Sequence, residues 1–336
     1  MEKVIECPYC EGKANLRVQE KEFVFKKECL ISHEYFYQCD LCAEEFTTNE
    51  VDEFTILQIS NQYRSKHAIP FPQQLIDLKL KYGLSSAKMS EVLGLGANGY
   101  SNYEKGEVPT LAIANLLSNA SDPAVFKNMF IKVKDSFSDN AYREALKKIE
   151  HLINNKEEEN YIRLNYYEEP NSFTGFRALN KERISNLVLA FILRCKEDFN
   201  DRLKLNKLLF YTDFLSYKKR GYSITGLTYR AIQYGPVPSY YDNMYTILEN
   251  DGVVMSTWKK EEDGSGKEIF TAEKDFDSTV FEAHDIEIID LVIDKFKDTS
   301  SWDLVELSHG EQSWKDLITS KDIIDYQKYA YCLEAI

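Results

Sequence analysis

Apolar and polar positions change rhythm several times along this 336-residue chain, and the changes divide it into segments. From Met1 to about Phe54, the stretches FVFKKECLI and YFYQC alternate with the two-residue period of strands, with a polar break between them. From Thr55 to Ser118 the period lengthens. FPQQLIDLKLKYG, SSAKMSEVLG, ANGYSNYEKG and PTLAIANLLS read as four short helices divided by glycines or a proline, the pattern of a helix-turn-helix bundle. Pro123 to Asn154 continues as amphipathic helix, and the polar run NNKEEEN, Asn154 to Asn160, reads as a linker. Beyond it, helices are expected around Glu182 to Cys195 and Lys204 to Lys219, the second closed by Gly221. A strand (TYRAIQY), a turn at GPVP, a helix through SYYDNMYTILEN, a hairpin across DGSG and further helices follow. There is no internal repeat and no low-complexity tract.

Composition narrows the picture little: 43% hydrophobic and 29% charged residues are ordinary for a soluble globular chain, although 22 tyrosines are many. No run approaches the roughly 18 apolar residues of a membrane span, and MEKVIECPYC lacks the apolar stretch of a signal peptide, so a cytoplasmic protein is expected. The net charge of −14 argues against coating nucleic acid by bulk electrostatics; any DNA contact must be local. Between Gln62 and Ser118 the balance reverses, with Arg64, Lys66, Lys79, Lys81, Lys88 and Lys105 against Asp77, Glu91, Glu104 and Glu107.

Four of the seven cysteines form two CxxC pairs, Cys7 with Cys10 and Cys39 with Cys42. Each pair can bend a knuckle around half of a tetrahedral ion, and four thiolates leave no place for an activated water. The expectation is one structural zinc ion that folds a unit too small for a self-sufficient core. Cys29 and His33 lie between the pairs as rival ligands but read as ordinary hairpin residues, and Cys195 and Cys332 read as core or incidental thiols. The expected architecture is therefore multidomain: a small zinc-bound β-rich unit over 1–54, an all-α helix-turn-helix bundle with a trailing helix over 55–153, and an α+β domain over 161–336.

Within the bundle, Ser85 or Ser86 can cap a helix that buries Met89, Val92 and Leu93, and Gly94 permits a sharp turn. The next helix, about Ala97 to Lys105, would lie in a major groove. Tyr100 and Tyr103 share the face that anchors it, while Asn98 near its start faces outward or merely caps the helix. The order and spacing of CPYC, CDLC and GLGANGYSNYEKGEVP, from Cys7 to about Phe130, resemble the MqsA-type antitoxins, in which a YgiT-type zinc finger precedes an Xre-like helix-turn-helix. That resemblance implies a zinc domain that binds toxin, a helix-turn-helix that dimerises on a palindromic operator, and an asparagine at Asn98 that reads bases. The family's base-reading arginine falls on Asn102, so the operator sequence is left open. Ser101 and Lys105 share the same helix, and Lys105, Lys88 and Lys81 are candidate phosphate contacts.

KLNKLLFYTDFLSYKKRGYSITGLTYRAIQYGPVPSYYDNMYTILENDG, with LSHGEQSWKDL downstream, resembles the Panacea or SocA-like domain over roughly Asn180 to Tyr326, a domain of antitoxins and phage-linked proteins. Leu205, Leu208, Leu209, Tyr211, Phe214 and Leu215 form a buried stripe on its long helix, and Tyr234, Tyr240 and Tyr241 are candidate toxin-binding residues beside the GPVP turn. Asp213, His284, His309 and Glu311 are residue types that hydrolysis employs, yet no GxSxG, HExxH or P-loop spacing accompanies them, so no enzyme is expected. His309 with Trp314 reads as a structural helix-boundary motif. The reading is an autorepressing antitoxin of a type II toxin-antitoxin system, a homodimer on an inverted repeat of double-stranded DNA that binds a partner toxin and no membrane. Its rival is a phage or mobile-element transcription regulator whose C-terminal domain binds a host protein or protease.

Overall fold

A computed structural model describes residues 1–154, 169–196, 200–260 and 266–336. They fall into two compact units, Met1–Glu169 and Pro170–Ile336. The linker expected from Asn154 to Asn160 lies outside the described residues except for Asn154, and so does the tip of the expected DGSG hairpin except for Gly266.

The first unit opens with an antiparallel sheet in the order β1 (Val4–Glu6), β2 (Lys13–Phe25), β3 (Glu28–Cys39), β4 (Glu45–Phe46). The sequence suggested a polar break between ECLI and YFYQC. The structure runs β3 straight through it and turns at Lys26 and Lys27. Both lysines have positive φ, 47° and 72°, the backbone of a type I′ hairpin turn, which Asn-Gly usually announces and lysine does not. The sheet curls. Leu30 and Ser32 are buried from one side of β3, and Tyr35, Tyr37 and Cys39 from the other. Both sides meet helix α1 (Asn49–Lys66): Ser32 donates to Gln58 at 3.3 Å and Tyr35 packs edge-on to Phe54.

Helix α1 was not among the four helical segments expected, and the boundary drawn between residues 54 and 55 falls inside it. Its sides give the reason: buried Val51, Phe54, Gln58, Asn61 and Arg64 mix apolar and polar residues, so no amphipathic stripe stands out. Four short helices follow where they were expected, α2 (Pro72–Tyr82), α3 (Ser86–Leu93), α4 (Gly99–Glu104) and α5 (Leu111–Asn119). Ser85 caps α3 and Thr110 caps α5 through their hydroxyls. The single amphipathic helix expected from Pro123 is broken into α6 (Pro123–Phe130), a 3-10 turn and α7 (Asp139–Asn154), with Val133 off helical geometry inside the turn. Met89, Val92, Leu93, Tyr100, Leu117, Phe126, Phe130 and Ile149 share one core. A second cluster joins Leu30 of the sheet, Ile59 and Tyr63 of α1, and Ala114 of α5. Sheet and helices are also tied by polar bonds: the buried Arg64 donates to the Gly106 carbonyl at 2.5 Å, and Lys26 donates to the Val108 and Pro109 carbonyls at 3.0 and 3.3 Å.

The second unit is organised around α9 (Arg202–Arg220), which follows α8 (Lys181–Arg194). The expected apolar stripe is present, but every residue from Lys204 to Tyr217 is buried, polar ones included. Around it lie the hairpin β5 (Tyr229–Ile232) with β6 (Gly235–Pro238), α10 (Tyr241–Asn250), the hairpin β7 (Val254–Lys260) with β8 (Gly266–Ala272), α11 (Ala283–Phe296), α12 (Ser301–Gly310), α13 (Gln312–Leu317) and α14 (Tyr326–Tyr329). GPVP is therefore a strand and the turn lies before it, at Gln233 and Tyr234. Two prolines are tolerated because the strand is one half of a two-stranded ribbon. Among the described residues, no helix is long and apolar enough to cross a membrane.

Candidate functional site

The four knuckle cysteines converge. Cys7 and Cys10 lie in the turn between β1 and β2, Cys39 ends β3, and Cys42 lies in the turn before β4. Their sulfurs all lie within 4.8 Å of one another, with Cys7 to Cys42 at 3.7 Å and Cys10 to Cys39 at 3.4 Å. Zinc–sulfur bonds of about 2.3 Å in a tetrahedron place sulfurs about 3.8 Å apart, so this donor set fits one ion. The backbone is shaped for it. The Tyr9 amide points at Cys7 Sγ and the Leu41 amide at Cys39 Sγ, each at 3.4 Å. Gly12 leaves room beside the sulfurs: a Cβ there would sit a tight 3.2 Å from Cys39 Sγ and 3.3 Å from Cys10 Sγ. Backbone amides of Cys42 and Leu41 hold the Cys39 thiol down, to about 6, the form a metal takes.

Among the described residues these four alone form a cysteine-containing cluster able to hold a metal ion. Cys29 stands ten residues up β3 from Cys39, roughly 33 Å along an extended strand, and His33 roughly 20 Å, so neither can join. Cys195 is buried and Cys332 exposed.

Helix α4 begins at Gly99, two residues later than expected, with Asn98 at its N-cap. The Asn98 side chain makes no capping bond and is exposed, as are Asn102 and Lys105, while Ser101 is half-buried. The inner face is fixed. Tyr100 is fully buried; its hydroxyl donates to the Leu75 carbonyl at 2.7 Å, and its amide donates to the Ser90 hydroxyl at 3.0 Å. Tyr103 packs on the same core, and Glu104 pairs with Lys79 at 2.7 Å and accepts from Ser86. Gly94 and Gly96, with φ of 66° and 77°, carry the turn between α3 and α4. Lys88 is engaged elsewhere: it pairs with Glu91, donates to the Ser136 carbonyl at 2.6 Å and lies over the Phe137 ring.

In the second unit, Tyr234 and Tyr240 are 42% and 55% exposed, and Tyr241 is half-buried. Trp302, which sequence reasoning missed, is 60% exposed on α12 and meets Tyr234 edge to face at 5.8 Å. Only tertiary packing brings this pair together, so no local signal could have found it. His309 stacks on Trp314, and both ring nitrogens address the hairpin: His309 Nε2 lies 3.1 Å from the Gln233 carbonyl and Trp314 Nε1 donates to Ile232 at 2.8 Å. Together they pin the turn that carries Tyr234. Glu311 is buried and accepts the Glu334 and Ala335 amides, each at 3.1 Å, while His284 is exposed.

Gly235 shows why the GPVP segment follows a glycine: any Cβ there would collide with Ser308 Oγ and Lys207 Cε, 2.1 and 2.5 Å away. The close approach lets Lys207, fully buried, donate to the Pro236 carbonyl at 3.1 Å. Burial, against the pull of Asp201, lowers the Lys207 pKa to about 7. The unfolded chain keeps an ordinary lysine near 10.4, so between these values it binds one more proton than the folded chain. Stability of this unit is therefore expected to rise with pH from about 7 towards 10. Lys207→Met should flatten that rise, measured as denaturant midpoint against pH; a variant with the wild-type slope refutes the assignment.

Residues 205–315, from α9 into α13, match the family described as Antitoxin SocA-like, Panacea domain. This chain thus carries a Panacea/SocA-like domain of antitoxin type, joined in sequence to an N-terminal curled sheet with a four-cysteine cluster. A search of curated proteins found no match.

Proposed function

We propose that the protein is an antitoxin that neutralises a partner toxin by direct binding and represses its own operon. The Panacea match at 205–315 supports the antitoxin part of this reading, because that family is one of antitoxins, and it suggests a protein partner. Toxin binds at the exposed Tyr234–Trp302 pair, with exposed Tyr240 as a further candidate contact, aromatic side chains with little entropy to lose. The protein acts by binding and not by catalysis. Asp213, Glu311 and His309 support this, since each is already committed to holding backbone or hydroxyl groups of its own unit. Co-expression with the neighbouring gene tests the reading: the antitoxin should restore growth and co-purify with its product. A neighbour that is equally harmless alone sinks the idea.

The first unit supplies zinc binding and operator recognition in this reading, as in the MqsA-type antitoxins that its motifs resemble. One zinc ion held by Cys7, Cys10, Cys39 and Cys42 would fold the sheet and supply no chemistry beyond that. Two protomers set their α4 helices about 34 Å apart on an inverted repeat. Asn98 reads a base, Ser101 and Asn102 line the groove, and Lys105 contacts phosphate. Asn98→Ala is expected to weaken binding to the gene's own upstream DNA by about 5- to 150-fold, at one to three kcal/mol per bidentate contact. Fluorescence anisotropy reads the affinity, and an unchanged thermal midpoint shows that the fold is intact. Equal affinity of variant and wild type would remove Asn98 from the interface.

A further inference from the structure

The second unit buries a guanidinium that its described residues do not fully satisfy. Arg177 is 7% exposed, and among the described residues its Nε and Nη1 have no hydrogen-bond partner. Its guanidinium lies 5.9 Å from the centre of the Tyr222 ring, which supplies a face but no acceptor in its plane. Two more arginines share the neighbourhood, and they have taken the available carboxylates. Arg183 Nη1 donates to Asp285 at 3.0 Å, Arg220 Nη1 donates to the other Asp285 oxygen, and Arg220 Nη2 pairs with Glu282 at 3.0 Å. Asp285 is wholly buried and also accepts the Glu282 amide at 3.1 Å, so it has little left to give. Three guanidiniums thus face two carboxylates, and the surplus charge belongs to the residue with no ion pair. Burial first, and then the charge of Arg183, hold the Arg177 pKa down, to about 10.

The loop that delivers Arg177 is strained and closely packed. Gly175 and Phe176 both have positive φ, 60° and 54°, and a non-glycine residue in that conformation is costly. Phe176 is held there by burial against Tyr217, and the Gly175 carbonyl receives the Ser223 amide at 2.9 Å. A Cβ on Gly175 would fall 2.6 Å from Ser223 Cβ, so the approach of the two loops admits glycine alone. A chain that only needed to fill this space would not use a buried, unpaired guanidinium, whose desolvation is uncompensated.

We propose that Arg177, flanked by Arg183 and Arg220, is the binding site for one small oxyanion, and that the exposed Glu282 carboxylate at its rim competes with that ligand. The planar guanidinium suits both phosphate and carboxylate oxygens, and the chemistry shared by the two sources is a compact group of negatively charged oxygens. Binding supplies the missing acceptor at Nε and Nη1, and the ligand gains the tighter hold as Glu282, 51% exposed on its side chain, swings to solvent. The site is independent of the toxin reading and of operator recognition, because it uses residues that neither employs.

The test is calorimetric titration of the full chain with inorganic phosphate and, separately, with acetate, at ionic strength held constant with sodium chloride. Saturable one-to-one binding of either is expected, and the tighter of the two identifies the source. Arg177→Gln should weaken that binding at least tenfold while leaving the ligand-free thermal midpoint unchanged or raised, since it removes an unpaired buried charge. Glu282→Gln should tighten binding by about tenfold, through loss of a nearby like charge. Heat signals indistinguishable from the chloride control in the wild type overturn the proposal. So does equal binding by wild type and both variants. Should Arg177→Gln fail to fold, the Glu282→Gln arm decides alone, and no tightening there is a refutation.

Discussion

Cys39→Ser is expected to abolish zinc binding and melt the N-terminal sheet while the second unit keeps its own transition. The sheet has no other source of cohesion of comparable size. Its buried residues between Met1 and Cys39 are few, namely Cys7, Ala14, Leu30, Ser32, Tyr35, Tyr37 and Cys39. A structural zinc in a small module supplies about 10–16 kcal/mol of apparent folding free energy at neutral pH, far more than so few contacts can replace. Cys39 is the sharpest choice because it closes the long strand, is 2% exposed, and has a thiol that backbone amides hold below its usual range. Zinc content should fall from one ion per chain to near zero, with loss of strand signal in the far ultraviolet. A strong chelator should have the same effect on the wild type. Acidification should as well, since lower pH protonates the thiolates that the metal requires. A serine variant that retains stoichiometric zinc and an unchanged first transition would dismiss the metal centre.

Asp213→Ala should lower the stability of the second unit by about 3–5 kcal/mol, the range for removing one partner of a buried charged network. Asp213 is completely buried in α9 and accepts four bonds: from the Ile224 and Thr225 amides at 2.7 and 2.9 Å, from the Thr225 hydroxyl, and from the Tyr229 hydroxyl at 2.8 Å. Burial nonetheless raises its pKa, so desolvation outweighs even these donors. Alanine strands all four donors in the core and releases the loop that leads into β5. For a unit of this size the thermal midpoint should drop by about 10 °C, with zinc content unaffected. A midpoint within two or three degrees of wild type would mean that the loop is held by other contacts.

What the residues disclosed and concealed follows from how local each feature is. The convergence of the four cysteines was legible because two CxxC turns encode their own geometry within a few residues. Helices α2, α3 and α5 were legible from caps and glycine stops, such as Ser85, Gly83 and Gly94. The turn at Lys26 and Lys27 was hidden, because lysines adopt its positive φ only where the strands on either side impose it. Helix α9 was placed correctly, but its apolar stripe gave no sign that Lys204, Asn206, Lys207 and Asp213 would be buried too. They are buried because distant groups receive them: the Lys297 and Thr299 carbonyls for Lys204, the Tyr245 hydroxyl for Asn206 and the Pro236 carbonyl for Lys207. The meeting of Tyr234 with Trp302, and the crowding of three arginines at Asp285, depend on the same long-range folding and have no trace in spacing.

The grip of Arg64 and Lys26 on the carbonyls of Gly106, Val108 and Pro109 gives the first unit a built-in dependence. These carbonyls come directly after α4, and the residues that hold them belong to the sheet's long hairpin and to the helix packed on it. Scarcity of metal would therefore slacken the segment that follows α4 at the same time as it dissolves the sheet. In the role proposed for the protein, a cell starved of zinc would release its own promoter without any signal from the toxin.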